Sequence, residues 1–329
     1  GQTVNRTLRI YNMLFADQQA TLESQLLVDG KPTTHNLSRM TLKAGQSHVM
    51  PVTLPMPSVQ KVKTVQWQLR LVSENDQVLC DRIYEYTVFP SPSPVVAPQD
   101  WAVVGQVPLP ALNSQHFETL DKALATNPKR LLLAGVSLSD AQGKLLDDAV
   151  SNGLHVTWIA TPAQSWLPAP LKTSDGHRAC FAFISRPDDP LMQDLTNNAM
   201  GLWGDDTIVA SDALLKPDRG NYEVILACGA PNGLTHAAML RMHRGKGSYL
   251  MCQMPLLTKA SEDPAANELL HRLINTPIKS NTSTGTLAVM VPVDSSLPQA
   301  LNNLRIPFID ISPVAKPHLL MIDASQSTV

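Results

Sequence analysis

The chain has 329 residues, with 26 basic and 28 acidic side chains and a formal net charge of -2. The charge is balanced, and no basic cluster along the chain could neutralise a run of phosphates, so we expect no nucleic-acid partner. The chain also lacks a run of about 18 uncharged apolar residues, so we predict no membrane span, and at roughly 100–200 residues per domain the length favours two domains.

The first 89 residues alternate between apolar and polar side chains. In the segment 64–73, for example, Val65, Trp67, Leu69 and Leu71 share one face, which is typical of a strand with one side on a core. Short turn sequences separate the alternating runs at intervals typical of a sandwich. The predicted strands are 8–14, 20–30, 47–54, 64–73 and 77–89. We therefore predict an immunoglobulin-like β-sandwich over residues 1–89.

A proline-rich segment follows the predicted sandwich. Residues 90–98 read PSPSPVVAP. Because proline fixes φ and lacks an amide donor, the segment cannot continue a strand or a helix. We predict a stiff linker.

From Trp101 onwards, short apolar runs alternate with helical spacing. The predicted strands are 101–107, 130–136, 155–160, 222–230 and 247–254, and the predicted helices are 116–127, 137–153, 235–243 and 263–276. Continuous apolar strands are typical of a parallel sheet covered on both faces. We predict a three-layer α/β/α domain with a mostly parallel sheet over residues 99–280.

The last segment, 281–329, repeats the opening of this domain. LAVMV (287–291) corresponds to WAVVG (101–105), and LLMIDAS (319–325) corresponds to LLLAGVS (131–137). Two interpretations stay open: the start of a second α/β unit that is cut short, or extra strands of the first sheet.

Several segments resemble the C-terminal regions of bacterial glycoside hydrolases related to family 2. They are DDPLMQDL, GLWGDDTIVASDALLKP, RGKGSYLMCQMPLL and DPAANELLHRLI, all within residues 188–274. The resemblance implies an amidotransferase-like (flavodoxin-like) domain that has lost its chemistry and follows an immunoglobulin-like domain. It also implies a catalytic domain upstream in the same protein, which is the expected partner, and a periplasmic or extracellular location.

Three of these motifs also have a plain physical interpretation. Gly245 and Gly247 suit a tight turn before a buried strand, and Gln253 is placed to bond a neighbouring loop. Pro264 suits the first turn of a helix, where its missing amide costs nothing.

The sequence offers no convincing catalytic group. An amidotransferase needs a cysteine with a glycine on either side at a sharp turn, plus a histidine and a carboxylate. None of the four cysteines has these surroundings, and we expect all four to be small buried side chains. The acidic pairs are expected to be solvated; they are Asp147, Asp148, Asp188, Asp189, Asp205 and Asp206. We predict no catalytic residue, no metal site and no cofactor.

Two binding features remain as candidates. The loop with Gly229, Asn232 and Gly233 follows a predicted strand, at the edge where open α/β sheets bind ligands. A plain turn from strand to helix is the competing interpretation. Trp166 and Trp203 lie in loop-like sequence and are candidates for stacking on sugar rings, although loop tryptophans more often cover a core.

The histidines provide a third candidate. His236 and His243 would share one face of the predicted helix 235–243, where a metal ion is a weaker alternative to a polar helix face.

We therefore predict a non-catalytic scaffold region of a polysaccharide- or oligosaccharide-degrading enzyme. The alternatives are a carbohydrate-binding module and an uncharacterised α/β hydrolase or amidotransferase-like enzyme. Carbohydrate remains an open partner, and a homo-oligomer is left open.

Overall fold

The computed structural model describes residues 2–91, 100–107, 115–218, 220–231, 233–276, 287–291, 295–303, 308–310 and 319–322. The chain divides into two units, Gly1–Ser93 with Asp194–Ala199, and Pro94–Gln193 with Met200–Val329. Most of the predicted linker 90–98 lies outside the described residues.

The first unit consists of two antiparallel sheets. Its strands are β1 (Thr3–Tyr11), β2 (Gln18–Val28), β3 (Lys31–Leu42), β4 (Ser47–Pro55), β5 (Lys63–Ser73) and β6 (Val78–Val88). One sheet pairs β1 with β4, and the other has the order β3-β2-β5-β6. The five predicted strands are confirmed, whereas β3 was not predicted as a separate strand.

One apolar core fills the first unit. The alternation of β5 places Val65, Trp67, Leu69 and Leu71 in this core, as predicted, together with apolar residues from both sheets. The indole Nε1 of Trp67 donates to Ser24 Oγ at 2.9 Å, so its polar atom is satisfied although it is buried.

The second unit has a larger sheet, and four helices are described between residues 115 and 276. The strands up to β18 are β7 (Trp101–Gly105), β8 (His116–Phe117), β9 (Arg130–Ala134), β10 (His155–Ile159), β11 (Lys172–Thr173), β12 (Arg178–Ala179), β13 (Ala182–Ile184), β14 (Ala210–Ser211), β15 (Leu214–Leu215), β16 (Tyr222–Ala230), β17 (Gly233–Arg244) and β18 (Gly247–Cys252). The helices are α1 (Leu120–Ala125), α2 (Asp140–Ser151), α3 (Leu256–Lys259) and α4 (Pro264–Asn275).

The large sheet is mixed rather than mostly parallel. Its main order is β11-β15-β17-β18-β10-β9-β7-β8, with β16 beside β17 and β13 beside β16. The strands from β18 to β8 are parallel to their neighbours, and the others pair antiparallel. The reason is β17: the predicted helix 235–243 is wrong, because this segment is a strand in a hairpin with β18.

The two faces of the parallel part carry different helices. Leu131, Val156 and Tyr249 point into a core that also contains Leu146 and Val150 of α2. On the opposite face, Arg130 reaches the carbonyl of Leu273 in α4. This alternation along short strands explains why they are apolar on both sides.

Local signals fix the ends of the helices. Ser139 begins α2 with a capping box, in which Gln142 N donates to Ser139 Oγ and Ser139 N donates to Gln142 Oε1. Gly153 follows the helix with φ 123°. Pro264 is the first residue of α4, as predicted.

The hairpin between β17 and β18 turns at Gly245 and Lys246, as predicted. Gly245 has φ 57°, and a Cβ on Gly247 would lie 2.1 Å from the carbonyl oxygen of Leu154. These glycines let the end of α2 approach the hairpin backbone.

The last segment forms a sheet of its own. β19 (Leu287–Met290) pairs in parallel with β20 (Phe308–Asp310) on one side and β21 (Leu319–Ile322) on the other, and α5 (Leu297–Asn303) lies between β19 and β20 in sequence. The order β20-β19-β21 repeats the order β8-β7-β9, as the sequence similarity indicates. Within the described residues these three strands are not paired with the large sheet, which favours the interpretation as a second α/β unit.

Candidate functional site

The carboxyl ends of three neighbouring parallel strands border an open cleft of about 1010 Å³. The residue that ends or follows each strand has a left-handed backbone: Gly105 with φ 103°, Gly135 with φ 63° and Ala160 with φ 54°. At Gly105 a side chain is excluded, because a Cβ would lie 2.1 Å from Ala134 O. The backbone therefore turns sharply at the edge where open α/β sheets bind ligands.

Polar and apolar residues line this cleft. His116 lies with its Nε2 3.0 Å from Gly105 O, and Thr258 donates its hydroxyl to Pro255 O at 3.1 Å. Among the described lining residues there is neither a thiol nor a carboxylate. The cleft can offer hydrogen bonds and apolar contact to a ligand, but its described wall holds no nucleophile.

Gln253 stabilises the same end of the sheet. Its side chain accepts from Thr161 N at 2.7 Å and donates to Thr161 O at 3.0 Å and Asp212 O at 2.9 Å. The residue is only 2% exposed. The prediction that Gln253 bonds a neighbouring loop is confirmed. Its side-chain amide satisfies backbone N–H and C=O groups that have no neighbouring strand to pair with.

The predicted glycine loop lies in a hairpin, not in a turn from strand to helix. Gly229 belongs to β16 and Gly233 begins β17 with φ 102°, while Asn232 lies outside the described residues. Because β16 runs in the same direction as β18, this loop lies at the carboxyl edge of the sheet.

Two histidines stack beside this loop. The rings of His177 and His236 are 4.1 Å apart and nearly parallel, and His177 Nε2 lies 2.7 Å from Gly229 O. Thr235 Oγ1 lies 3.0 Å from His236 Nδ1. The pKa of His236 is lowered by burial and then by the neighbouring His177 and Lys216. His236 is therefore expected to be neutral at pH 7.

Sequence reasoning did not find this pair. His177 and His236 are far apart in the chain, and they meet because the segment before β12 lies against the β16–β17 hairpin. The predicted shared helix face of His236 and His243 is wrong, because this segment is the strand β17 and not a helix. Within the described part of the chain, no group of three or more His, Cys, Asp or Glu side chains is placed to hold a metal ion.

The two tryptophans proposed for sugar stacking cover cores. Trp203 is 1% exposed, so it presents no ring face to a dissolved sugar. Trp166 is half-buried and packs against Gly143 of α2, where a Cβ would lie 2.1 Å from the indole. The competing interpretation, that loop tryptophans cover a core, describes both positions.

The cysteines differ from the expectation that all four are buried. Cys80 and Cys180 are exposed, while Cys228 and Cys252 are buried. Burial raises the pKa of the Cys228 thiol to about 11 and that of Cys252 to about 12. Neither buried thiol is activated as a nucleophile, since the thiolate is the reactive form.

Two of the acidic residues that the sequence predicts to be solvated are buried and hydrogen-bonded to arginines. Asp147 is 8% exposed and accepts from Arg244 Nε at 3.0 Å, and Asp189 is 6% exposed and accepts from Arg241 Nη1 at 2.6 Å. These two residues are not solvated, in contrast to the prediction. Their exposed neighbours follow the prediction; they are Asp148, Asp188, Asp205 and Asp206.

No described helix is long and apolar enough to cross a membrane.

No protein-family model and no curated protein matches the chain. Solved structures that it resembles are glycoside hydrolases. A β-glucuronidase from Bacteroides uniformis is 10% identical, with a TM-score of 0.24 over 48% of this chain and 21% of that protein. An exo-β-1,4-mannosidase from Opitutaceae bacterium strain TAV5 is 14% identical, with a TM-score of 0.31 over 45% and 26%.

A glycosyl hydrolase family 2 member from Bacteroides cellulosilyticus is 15% identical, with a TM-score of 0.24 over 49% of this chain and 25% of that protein. The matched region thus spans about a quarter or less of these neighbours. At such TM-scores we draw neither fold nor function from them.

Proposed function

We propose that this chain is a non-catalytic accessory region of a secreted bacterial glycoside hydrolase, located in the periplasm or outside the cell. In this proposal an immunoglobulin-like unit and a three-layer, amidotransferase-like α/β unit support a catalytic domain elsewhere in the same protein. The sequence motifs of residues 188–274 provide the link to such enzymes.

One observation carries the non-catalytic part of the proposal. A nucleophile elbow places its Ser or Cys on a strained turn at the carboxyl end of a strand. At the strand ends of this cleft the left-handed positions are Gly105, Gly135 and Ala160, which have no nucleophilic atom. The buried thiol of Cys252 lies one strand further along, with its pKa raised to about 12.

The carboxylates support the same conclusion. A glycosidase needs two acidic side chains that are free to reach opposite sides of a glycosidic bond. Asp147 and Asp189 are buried against arginines, and Asp206 is paired with Lys259, which lowers the pKa of this carboxyl. The two buried acids therefore serve the packing of the fold, while Asp206 is held in an exposed ion pair.

The experiment is a direct assay of the purified chain. We expect no turnover of aryl-glycosides or of glutamine, and no glycan binding tighter than a Kd of about 1 mM. Deletion of this region from the parent enzyme should lower the thermal midpoint of that enzyme and leave its kcat nearly unchanged.

Each rival has its own positive result. Saturable binding to a glycan array would support the carbohydrate-binding module, with the cleft at Gly105 and His116 as the first place to substitute. Turnover by this chain alone would support the α/β hydrolase or amidotransferase-like enzyme and would contradict the accessory role.

A further inference from the structure

A row of polar side chains crosses four neighbouring strands of the second unit. In register, His243 of β17 is opposite Ser248 of β18, Ser248 is opposite His155 of β10, and His155 is opposite Arg130 of β9. All four project from the sheet face that does not carry α2. Polar residues at such positions are costly unless they have partners.

Arg130 has fewer partners than its burial demands. The residue is 9% exposed, and its Nη2 donates to the carbonyls of Leu273 and Thr276 at 3.3 and 3.1 Å. Its guanidinium lies 4.2 Å from the ring of Trp101. Its Nε has no partner, and Arg130 forms no ion pair with a carboxylate of the described residues. Arginine cannot relieve this by losing its proton.

The charge of Asp100 acts on Arg130 without forming an ion pair with it, and the neighbouring cations add further positive charge. Lys246, in the turn between β17 and β18, forms no ion pair within the part of the chain that the structure describes. The carboxylates of this cleft already have cationic partners: Arg241 binds Asp189 and Glu223, and Arg186 binds Asp188 and Glu223.

A cleft of about 220 Å³ lies over the row. Its wall includes Arg130, His155, Lys246 and Ser248, and His155 Nδ1 lies 2.9 Å from Ser248 Oγ. The volume is below the roughly 300–1,000 Å³ of sites for drug-sized ligands, so it suits a small ion or one charged group of a larger molecule.

We propose that this cleft binds a compact oxyanion, a phosphate or a carboxylate group, between Arg130 and Lys246. Ser248 and His155 supply hydrogen bonds to the same group. Oxyanions suit this set because the fork of an arginine matches two oxygen atoms and the lysine adds a second positive charge. The site does not depend on the accessory role proposed above.

The test is a titration of the whole chain with inorganic phosphate and, separately, with acetate, at constant ionic strength maintained with sodium chloride. Calorimetry and the thermal midpoint are the two readouts. We expect saturable binding with one site and a rise of the midpoint that chloride does not produce. Tighter binding of phosphate identifies a phosphate group as the ligand, and tighter binding of acetate identifies a carboxylate.

Two variants and a control locate the site. Arg130→Met keeps the length of the side chain and removes the charge, so the Kd is expected to rise at least about tenfold. Lys246→Gln changes an exposed turn residue and is expected to raise the Kd about threefold or more. Lys144→Gln, on the exposed side of α2, is the matched control and should bind like the wild type.

The thermal midpoint of the variants separates binding from folding. Without anion, the thermal midpoint of Arg130→Met measures the balance between removing a buried charge and losing the hydrogen bonds to Leu273 O and Thr276 O, and binding is compared below that midpoint. The proposal is overturned if neither anion binds beyond the chloride effect, or if Lys246→Gln binds as tightly as Lys144→Gln.

Discussion

Gly247 lies close against the backbone at the end of α2 and just beyond it. A Cβ there would lie 2.1 Å from Leu154 O and 2.3 Å from Val150 O, and both of these are backbone atoms that cannot move alone. We expect Gly247→Ala to lower the free energy of unfolding by about 3 kcal/mol, at the upper end of overpacking costs.

Gly229→Ala is the matched control for this prediction. No atom lies within 4 Å of the position of its Cβ, so its unfolding free energy should change by less than about 1 kcal/mol. Urea unfolding of both variants measures the difference, and equal midpoints would contradict the close approach at Gly247.

Asp147 and Arg244 form a buried ion pair under the hairpin. Arg244 Nε donates to Asp147 Oδ1 at 3.0 Å, and Tyr249 donates its hydroxyl to the same oxygen at 3.2 Å. Asp147→Ala leaves the arginine buried without this carboxylate, so we expect a loss of about 3–5 kcal/mol in unfolding free energy. Asp148→Ala, on the exposed side of the same helix, should cost less than about 1 kcal/mol. Chemical denaturation distinguishes the two.

At the scale of the elements, strands β16 and β18 determine which thiols react. They bury Cys228 and Cys252, whereas Cys80 and Cys180 are exposed. With iodoacetamide at pH 8, mass spectrometry should find two labels on the native chain and four after unfolding in urea. A third label on the native chain would mean that one of these strands opens.

The same thiols give an alkaline limit to stability. Burial raises the pKa of Cys252 from 9.0 to about 12, so the unfolded thiol loses its proton first. Between pH 9 and pH 12 the unfolded state is favoured increasingly, and the contribution of this group to stability is lost. Measurements of the thermal midpoint over this range check the direction, with Cys252→Ser expected to show a weaker dependence.

Most elements could be predicted from the sequence, and the exceptions have physical reasons. Strands with one solvent-exposed face, such as β5, show alternating apolar and polar residues. The N-caps of α2 and α4 are also recognisable in the sequence. Strand β17 was mistaken for a helix because residues 236–240 are buried on both faces, which removes the alternation. Strand β3 was missed because most of its residues are polar and exposed at an edge.

The sites were harder to predict than the elements. The glycine loop was located at the correct edge, but the His177–His236 stack and the polar row of β9, β10, β17 and β18 depend on register between distant segments. A weak signal for the row exists: β9 and β10 each begin with one basic residue, Arg130 and His155, before a run of largely apolar residues.

For the whole molecule, the lowered pKa of His236 makes acid a destabilising condition. The pKa of His236 is lower in the folded chain than its usual value of about 6.5. Below pH 6.5 the unfolded chain therefore binds a proton at this residue that the folded chain does not bind. The stability from this group is complete above pH 6.5 and is lost as the pH falls through the lowered folded pKa. We expect the unfolding free energy to decrease between pH 6.5 and pH 5.

His236→Asn tests the origin of this dependence. The variant should show a flatter profile of unfolding free energy against pH, because it lacks the imidazole that binds a proton more readily in the unfolded state. His35→Asn, on an exposed strand of the first unit, should keep the wild-type slope. If both variants keep it, acid sensitivity arises elsewhere in the chain.

The two exposed cysteines are divided between the units, with Cys80 in the first and Cys180 in the second. A mixture of donor and acceptor maleimide dyes will therefore place a fluorescent pair on the natural sequence, one dye on each unit. The efficiency of resonance energy transfer between the two dyes then reports the distance between the units in solution.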